Sequence, residues 1–197
     1  MRFMHSNMSI ETPDQAEKKS FTDSGLGKKK IFTAADIAVI GMMAALLEVV
    51  KVALQSIPNV ELVTLLIIVF TLYLGPKSLI AVWGFVGMEC AVYGLGLWTI
   101  MYIYVWPLLV VITCLMRKYK SQWPFVTLAA MFGLFFGAMC SIPYFFMGGP
   151  ATALAWWVAG IPFDILHGIT NFVGAAILFT PLTKALNRIK QSTGLFG

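Results

Sequence analysis

Charge is scarce in this sequence and almost missing from its middle. Asp, Glu, Lys and Arg make up 12% of the 197 residues, against 59% hydrophobic. That excludes an ordinary soluble domain, where about a quarter of residues are charged. Histidine occurs only as His5 and His167, too few imidazoles for a histidine-built metal site. Cys90, Cys114 and Cys140 stand far apart inside apolar runs, without metal-ligand spacing, as small core residues do. No serine has a neighbouring His and acid in a recognisable motif. There is also no HExxH helix and no phosphate-binding glycine loop with a lysine. The chain is therefore not expected to be an enzyme or to carry a cofactor or metal of its own. No apolar run precedes Ile31, so no cleavable signal peptide is expected. Nor is there an inverted repeat of the kind found in secondary transporters.

Apolar runs dominate what is present. Roughly 150 residues lie in them, room for about six spans of about 20 residues each. The expected fold is an all-α integral membrane protein with six transmembrane helices. Residues 1–30 read as a disordered cytoplasmic tail ending in the basic anchor Lys28–Lys30, 31–190 as the membrane domain, and 191–197 as a C-terminal tail. The spans are expected near 33–56, 62–74, 78–93, 100–116, 124–146 and 161–181. The second is short enough that Val60 and Glu61 should lie inside its helix. Pro143 is the expected kink of the fifth, and 147–160 should be a loop.

Charge sets the orientation. Of 14 Lys and Arg, all but Lys51 fall in the N-terminal tail, the 75–77 turn, the 117–120 loop or the segment from Lys184 on. Six spans put these regions on one side. The opposite loops, 57–61, 94–99 and 147–160, contain no Lys or Arg. By the positive-inside rule both termini are cytoplasmic and the bare loops face out. The net charge of +5 is explained by the bilayer, without nucleic acid.

Polar residues gather at the outer ends of the spans. Asp164, His167 and Asn171 are three and four residues apart, on one face of a helix beginning near Pro162. Within a membrane such groups face a cavity or other protein rather than lipid. With Asn59, Glu61, Glu89, Tyr93, Trp98, Tyr102 and Trp157 they form a candidate solute site, Trp98, Tyr102 and Trp106 making an aromatic i, i+4 ladder. The bland alternative is a buried polar network that fixes helix register. In span 1, Ala34, Ala38, Gly41 and Ala45 form a small-residue ridge that either docks a partner or packs within the bundle. Glu48, Lys51 and Gln55 lie about 75° round the helix from that ridge, where they either look into the cavity or, for Glu48 and Lys51, neutralise each other at i, i+3. A second class of function is an intramembrane hydrolase using Asp164 and His167 as an acid–base pair.

The stretches PNVELVTLL (58–66), YGLGLWTIMYIYVWP (93–107) and WWVAGIPFDILHGITNF (156–172) resemble the substrate-binding S components of energy-coupling factor (ECF) vitamin transporters of Gram-positive bacteria. The likeness runs from about 33 to 187, none of it a catalytic signature. It implies a multi-pass subunit of the cell membrane that binds a vitamin from outside. Its implied partners are a transmembrane coupling subunit and two cytoplasmic ATPase subunits, which use the ATP. The Ala34–Ala45 ridge matches the family's small-residue motif for the coupling subunit, with Gly41 in place of one alanine. The closest likeness is to the group linked to cobalamin and once associated with queuosine precursors; folate, pantothenate and pyridoxine-like solutes stay open.

Overall fold

The computed structural model describes residues 33–58 and 60–193. The tail expected over 1–30, Asn59, and the last four residues lie outside the described residues. From Ala34 on, the chain forms a single unit. Every regular element in the described residues is helical: α1 (Ala34–Leu54), α2 (Val63–Leu74), a 3-10 turn (Gly75–Lys77), α3 (Ser78–Tyr93), α4 (Leu97–Met116), α5 (Trp123–Leu134), α6 (Phe136–Cys140) and α7 (Ile142–Thr193). Among the described residues four helical stretches are long and apolar enough to cross a membrane, as a multi-pass protein requires: Ala34–Leu54, Val63–Tyr93, Leu97–Met116 and Ile142–Ser192.

α2 is the centre. Its sequence, VTLLIIVFTLYL, is apolar on every side, and a helix of that kind is buried all round. Val63 through Thr71 are all buried, Ile68 and Val69 completely. α1 differs: it buries only Val39, Ile40, Met43, Ala44 and Leu47, one face at helical spacing.

Contacts fix the directions. Asp36 meets Lys77, Ala44 lies under Gly84, and Lys51 meets Glu89, so α1 and α3 run parallel. Phe85 faces Tyr102 and Trp106, while Cys90 faces Thr99, so α3 and α4 are antiparallel. Gln122 meets Thr180, Phe125 stacks on Phe179, Asn171 bonds to Ala129, Gly137 meets Asp164, and Tyr144 stacks on Trp156. As one partner number rises the other falls, so residues 123–148 and 150–193 are the two arms of an antiparallel hairpin. Its apex is Gly149, where φ of +79° breaks the helix, and Pro150 lacks the N–H that a first turn leaves free.

Several sequence expectations are corrected here. The stretch 147–160 is helical apart from Gly149, so Pro162 sits inside a helix rather than opening one. The first arm breaks at Phe135 and Ser141, not at Pro143. Helix α2 begins at Val63, leaving Val60 and Glu61 ahead of it, and the last helix runs past Pro181 to Thr193.

One end of the bundle is cationic. Lys77 pairs with Asp36 at 3.0 Å, and Arg117 donates to the Leu72 carbonyl at 3.2 Å while lying against Gly75. Arg117, Lys120 and Lys190 line one hollow there. The charged turns thus share an end, as the positive-inside pattern requires of them.

Candidate functional site

At the opposite end lies a cavity of about 330 Å³. Its walls come from six separate stretches: Lys51 of α1, Glu61 and Val63, Phe85 of α3, Tyr102 and Trp106 of α4, Phe136 and Gly137 of α6, and Trp156, Gly160, Phe163, Asp164 and His167 of α7.

The break at Phe135 positions the first acid. Restarting the helix there leaves first-turn amides without intrahelical acceptors. The Gly137 amide donates instead to Asp164 Oδ1 at 2.9 Å. Only glycine fits at this point, since a Cβ on residue 137 would run into the Asp164 carboxylate. Gly133, one turn earlier, lies equally close: a Cβ there would sit 2.9 Å from the His167 carbonyl oxygen. The arms therefore close tightly enough to bury Asp164 and His167, which are 6% and 8% exposed.

Glu61 and His167 are joined across 106 residues of sequence by a 3.1 Å contact between Oε1 and Nε2. A carboxylate only accepts, so Nε2–H donates. The other Glu61 oxygen accepts the Thr64 amide at 2.9 Å, serving a free donor at the start of α2. Burial pushes the Glu61 carboxyl up, but the hydrogen bond and attraction of His167, with the Thr64 contacts, outweigh it and hold the carboxyl below its ordinary value of 4.5. Glu61 stands outside the helical spans and is the ionised anchor of this wall.

Lys51 reaches across to Glu89, which is 1% exposed, rather than settling on Glu48 at i, i+3. Both Glu48 carboxyl oxygens are buried without a hydrogen bond. The Lys51 ammonium also lies 4.8 Å from the Tyr93 ring centroid and 5.7 Å from that of Tyr102, where ring faces attract a cation.

The aromatic ladder is present: Trp98, Tyr102 and Trp106 meet edge to face at 5.4 and 5.5 Å, continuing through Phe136 to the His167 ring. Compared with protein-family models, curated proteins and solved structures, the chain matches none.

The residues singled out in the sequence divide by place. Glu61, Tyr102, Asp164 and His167 line the cavity. Glu89 stands behind Lys51, and Tyr93 is half exposed, its hydroxyl 3.4 Å from Gln55. Trp98 folds over Gly96, whose Cβ would sit 2.7 Å from the indole nitrogen. Trp157 lies beside Asp164 outside the lining, and Asn171 bonds to the Ala129 carbonyl between the hairpin arms. Ala34, Ala38, Gly41 and Ala45 are all exposed, and a Cβ on Gly41 would meet nothing within 4 Å. The ridge therefore faces out of the bundle.

Phe85, Phe136 and Phe163 also line the cavity, although nothing in the sequence singles them out, and Lys51, Trp106 and Trp156 are there with them. A signal existed for Trp156: with Gly160, Asp164 and His167 it follows the 4, 4, 3 spacing of one helical face.

Proposed function

We propose that this protein is the membrane-embedded solute-binding subunit of an ECF-type vitamin importer, with both termini cytoplasmic and six membrane-crossing segments. The observation that carries this reading is the cavity. Two acids, a lysine, a histidine and six aromatic side chains from distant parts of the chain converge on one hollow, at the end opposite the cations. A concave, largely apolar site with a few placed polar groups is what capture of a small solute needs. The outward small-residue ridge of α1 supports docking to a coupling subunit, because close helix approach in a membrane favours small side chains. ATP hydrolysis then belongs to partner subunits.

The cavity volume bears on the solute. The resemblance implies cobalamin first, and the cavity measures about 330 Å³. That volume is near the lower end of small-molecule pockets, about 300–1,000 Å³, and it favours a smaller vitamin. Nothing in the site favours hydrolysis: His167 Nε2 bonds to Glu61, and Asp164 Oδ1 to an amide, so the supposed acid–base pair makes no hydrogen bond.

Two measurements test the reading. Purified protein in detergent should bind at least one member of a vitamin panel. Protein isolated from its native membrane should bring with it a coupling subunit and two ATPases. Binding to nothing, or isolation alone under mild extraction, would overturn it.

A further inference from the structure

The charge around the cavity is out of balance. Among the described residues four carboxylates, Glu48, Glu61, Glu89 and Asp164, occupy the half of the bundle away from the basic end, with Lys51 the one lysine beside them and His167 hydrogen-bonded to Glu61. Lys51 answers Glu89, and His167 answers Glu61. Among the described residues Asp164 makes no ion pair, although the His167 side chain one turn away attracts its carboxylate. It holds the Gly137 amide on Oδ1 and lies beside the Trp157 side chain, while Oδ2 has no hydrogen bond of ordinary geometry. A carboxylate this buried is unfavourable unless a counter-charge or a proton meets it.

The surroundings of that oxygen suit a particular counter-charge. Phe136, Trp156 and Phe163 share the cavity with Asp164, and aromatic faces attract cations. Lys51 already uses this attraction over Tyr93 and Tyr102. An occupant is thus asked for one positive group.

We infer that the solute of this cavity is a small organic cation, its protonated or quaternary nitrogen held on the side of the cavity that Asp164 and the aromatic rings line. This rests on the reading of the cavity as a capture site and adds the sign of the guest's charge. Solutes whose only charge is a carboxylate, such as pantothenate, are excluded because they would face Asp164 and Glu61.

The test uses solutes matched in shape and differing in charge: pyridoxamine, pyridoxine and 4-pyridoxate; 1-methylnicotinamide, nicotinamide and nicotinate; and thiamine beside pantothenate. Binding is followed by calorimetry on purified protein in detergent. In any set that binds, the cation should bind at least about tenfold tighter than its neutral counterpart, a difference of about 1.4 kcal/mol, and the anion should not bind. A neutral or anionic member binding as tightly as its cation overturns the charge assignment and leaves capture standing. Binding of none of the compounds counts against both. A second measurement needs no ligand. Asp164→Asn keeps an acceptor for the Gly137 amide and removes the unanswered charge, so the ligand-free variant should melt at a higher temperature than the parent. A lower melting temperature overturns the inference.

Discussion

The Gly137 amide and the Asp164 carboxylate, 27 residues apart, meet at 2.9 Å where the two arms of the last hairpin touch. Gly137→Ala puts a methyl group against that carboxylate. Forcing extra volume into a packed contact typically costs about 1–3 kcal/mol. The variant should melt earlier and bind solute at least about tenfold more weakly, whereas Gly160→Ala, with nothing within 4 Å of its Cβ, should keep its melting temperature. Equal melting of the two variants would contradict the close approach.

Lys51 and Glu89 make a second test. Removing one member of a buried ion pair costs about 3–5 kcal/mol, because the other is left charged and unpaired. As Lys51 is partly accessible, Lys51→Met should fall at or below the low end of that range. Lys51→Met combined with Glu89→Gln should recover most of the loss. A double variant no more stable than the single one would show that the pair is not the source.

The Glu61 carboxyl lies below its ordinary value of 4.5, so its ionised form is favoured in the folded protein. The stabilisation is present above the unfolded value and is lost as pH falls through the folded one. Thermal melting in detergent should therefore show no Glu61-dependent change between pH 8 and pH 5, compared with Glu61→Gln. The advantage of the parent should shrink below about pH 4.5. A parent-minus-variant difference that disappears between pH 6 and 7 would assign the effect to another group.

Gly41 faces away from the bundle with open space around it. Gly41→Leu should leave melting and solute binding within about 0.5 kcal/mol of the parent, as outward substitutions usually do. It should nevertheless abolish uptake and co-purification with the coupling subunit. Normal uptake would remove the ridge from the docking surface.

Orientation can be read by labelling. In a background lacking Cys90, Cys114 and Cys140, Leu95→Cys should react with a membrane-impermeant thiol reagent on intact cells, and Ser121→Cys only after the cells are opened. Both positions are exposed, one at each end of the bundle. The reverse pattern would invert the topology.

The all-helical fold and the shared cationic end could be read from the sequence because apolar run length and the placement of Lys and Arg are local properties. Glu61, Tyr102, Asp164 and His167 could be found because polar or aromatic residues inside apolar runs are conspicuous. Trp156 and Trp157 are neighbours that differ by about 100° around a helix, so the spacing to Asp164 and His167 separates them only once the helix phase is known to be continuous through 156–167. That phase was hidden because Gly148, Gly149 and Pro150 read as the edge of a long loop, when a single positive φ at Gly149 makes the whole turn. Glu48 is the acid nearest Lys51 in the sequence; its partner in the fold, Glu89, is 38 positions away and is brought close only by the parallel packing of α1 and α3.

Just below that turn, Tyr144 and Trp156 stack at 4.8 Å, one on each arm, and Trp156 forms part of the cavity wall. The two rings belong to opposite arms, so the part of the wall that Trp156 forms is braced from behind by the arm that precedes the turn.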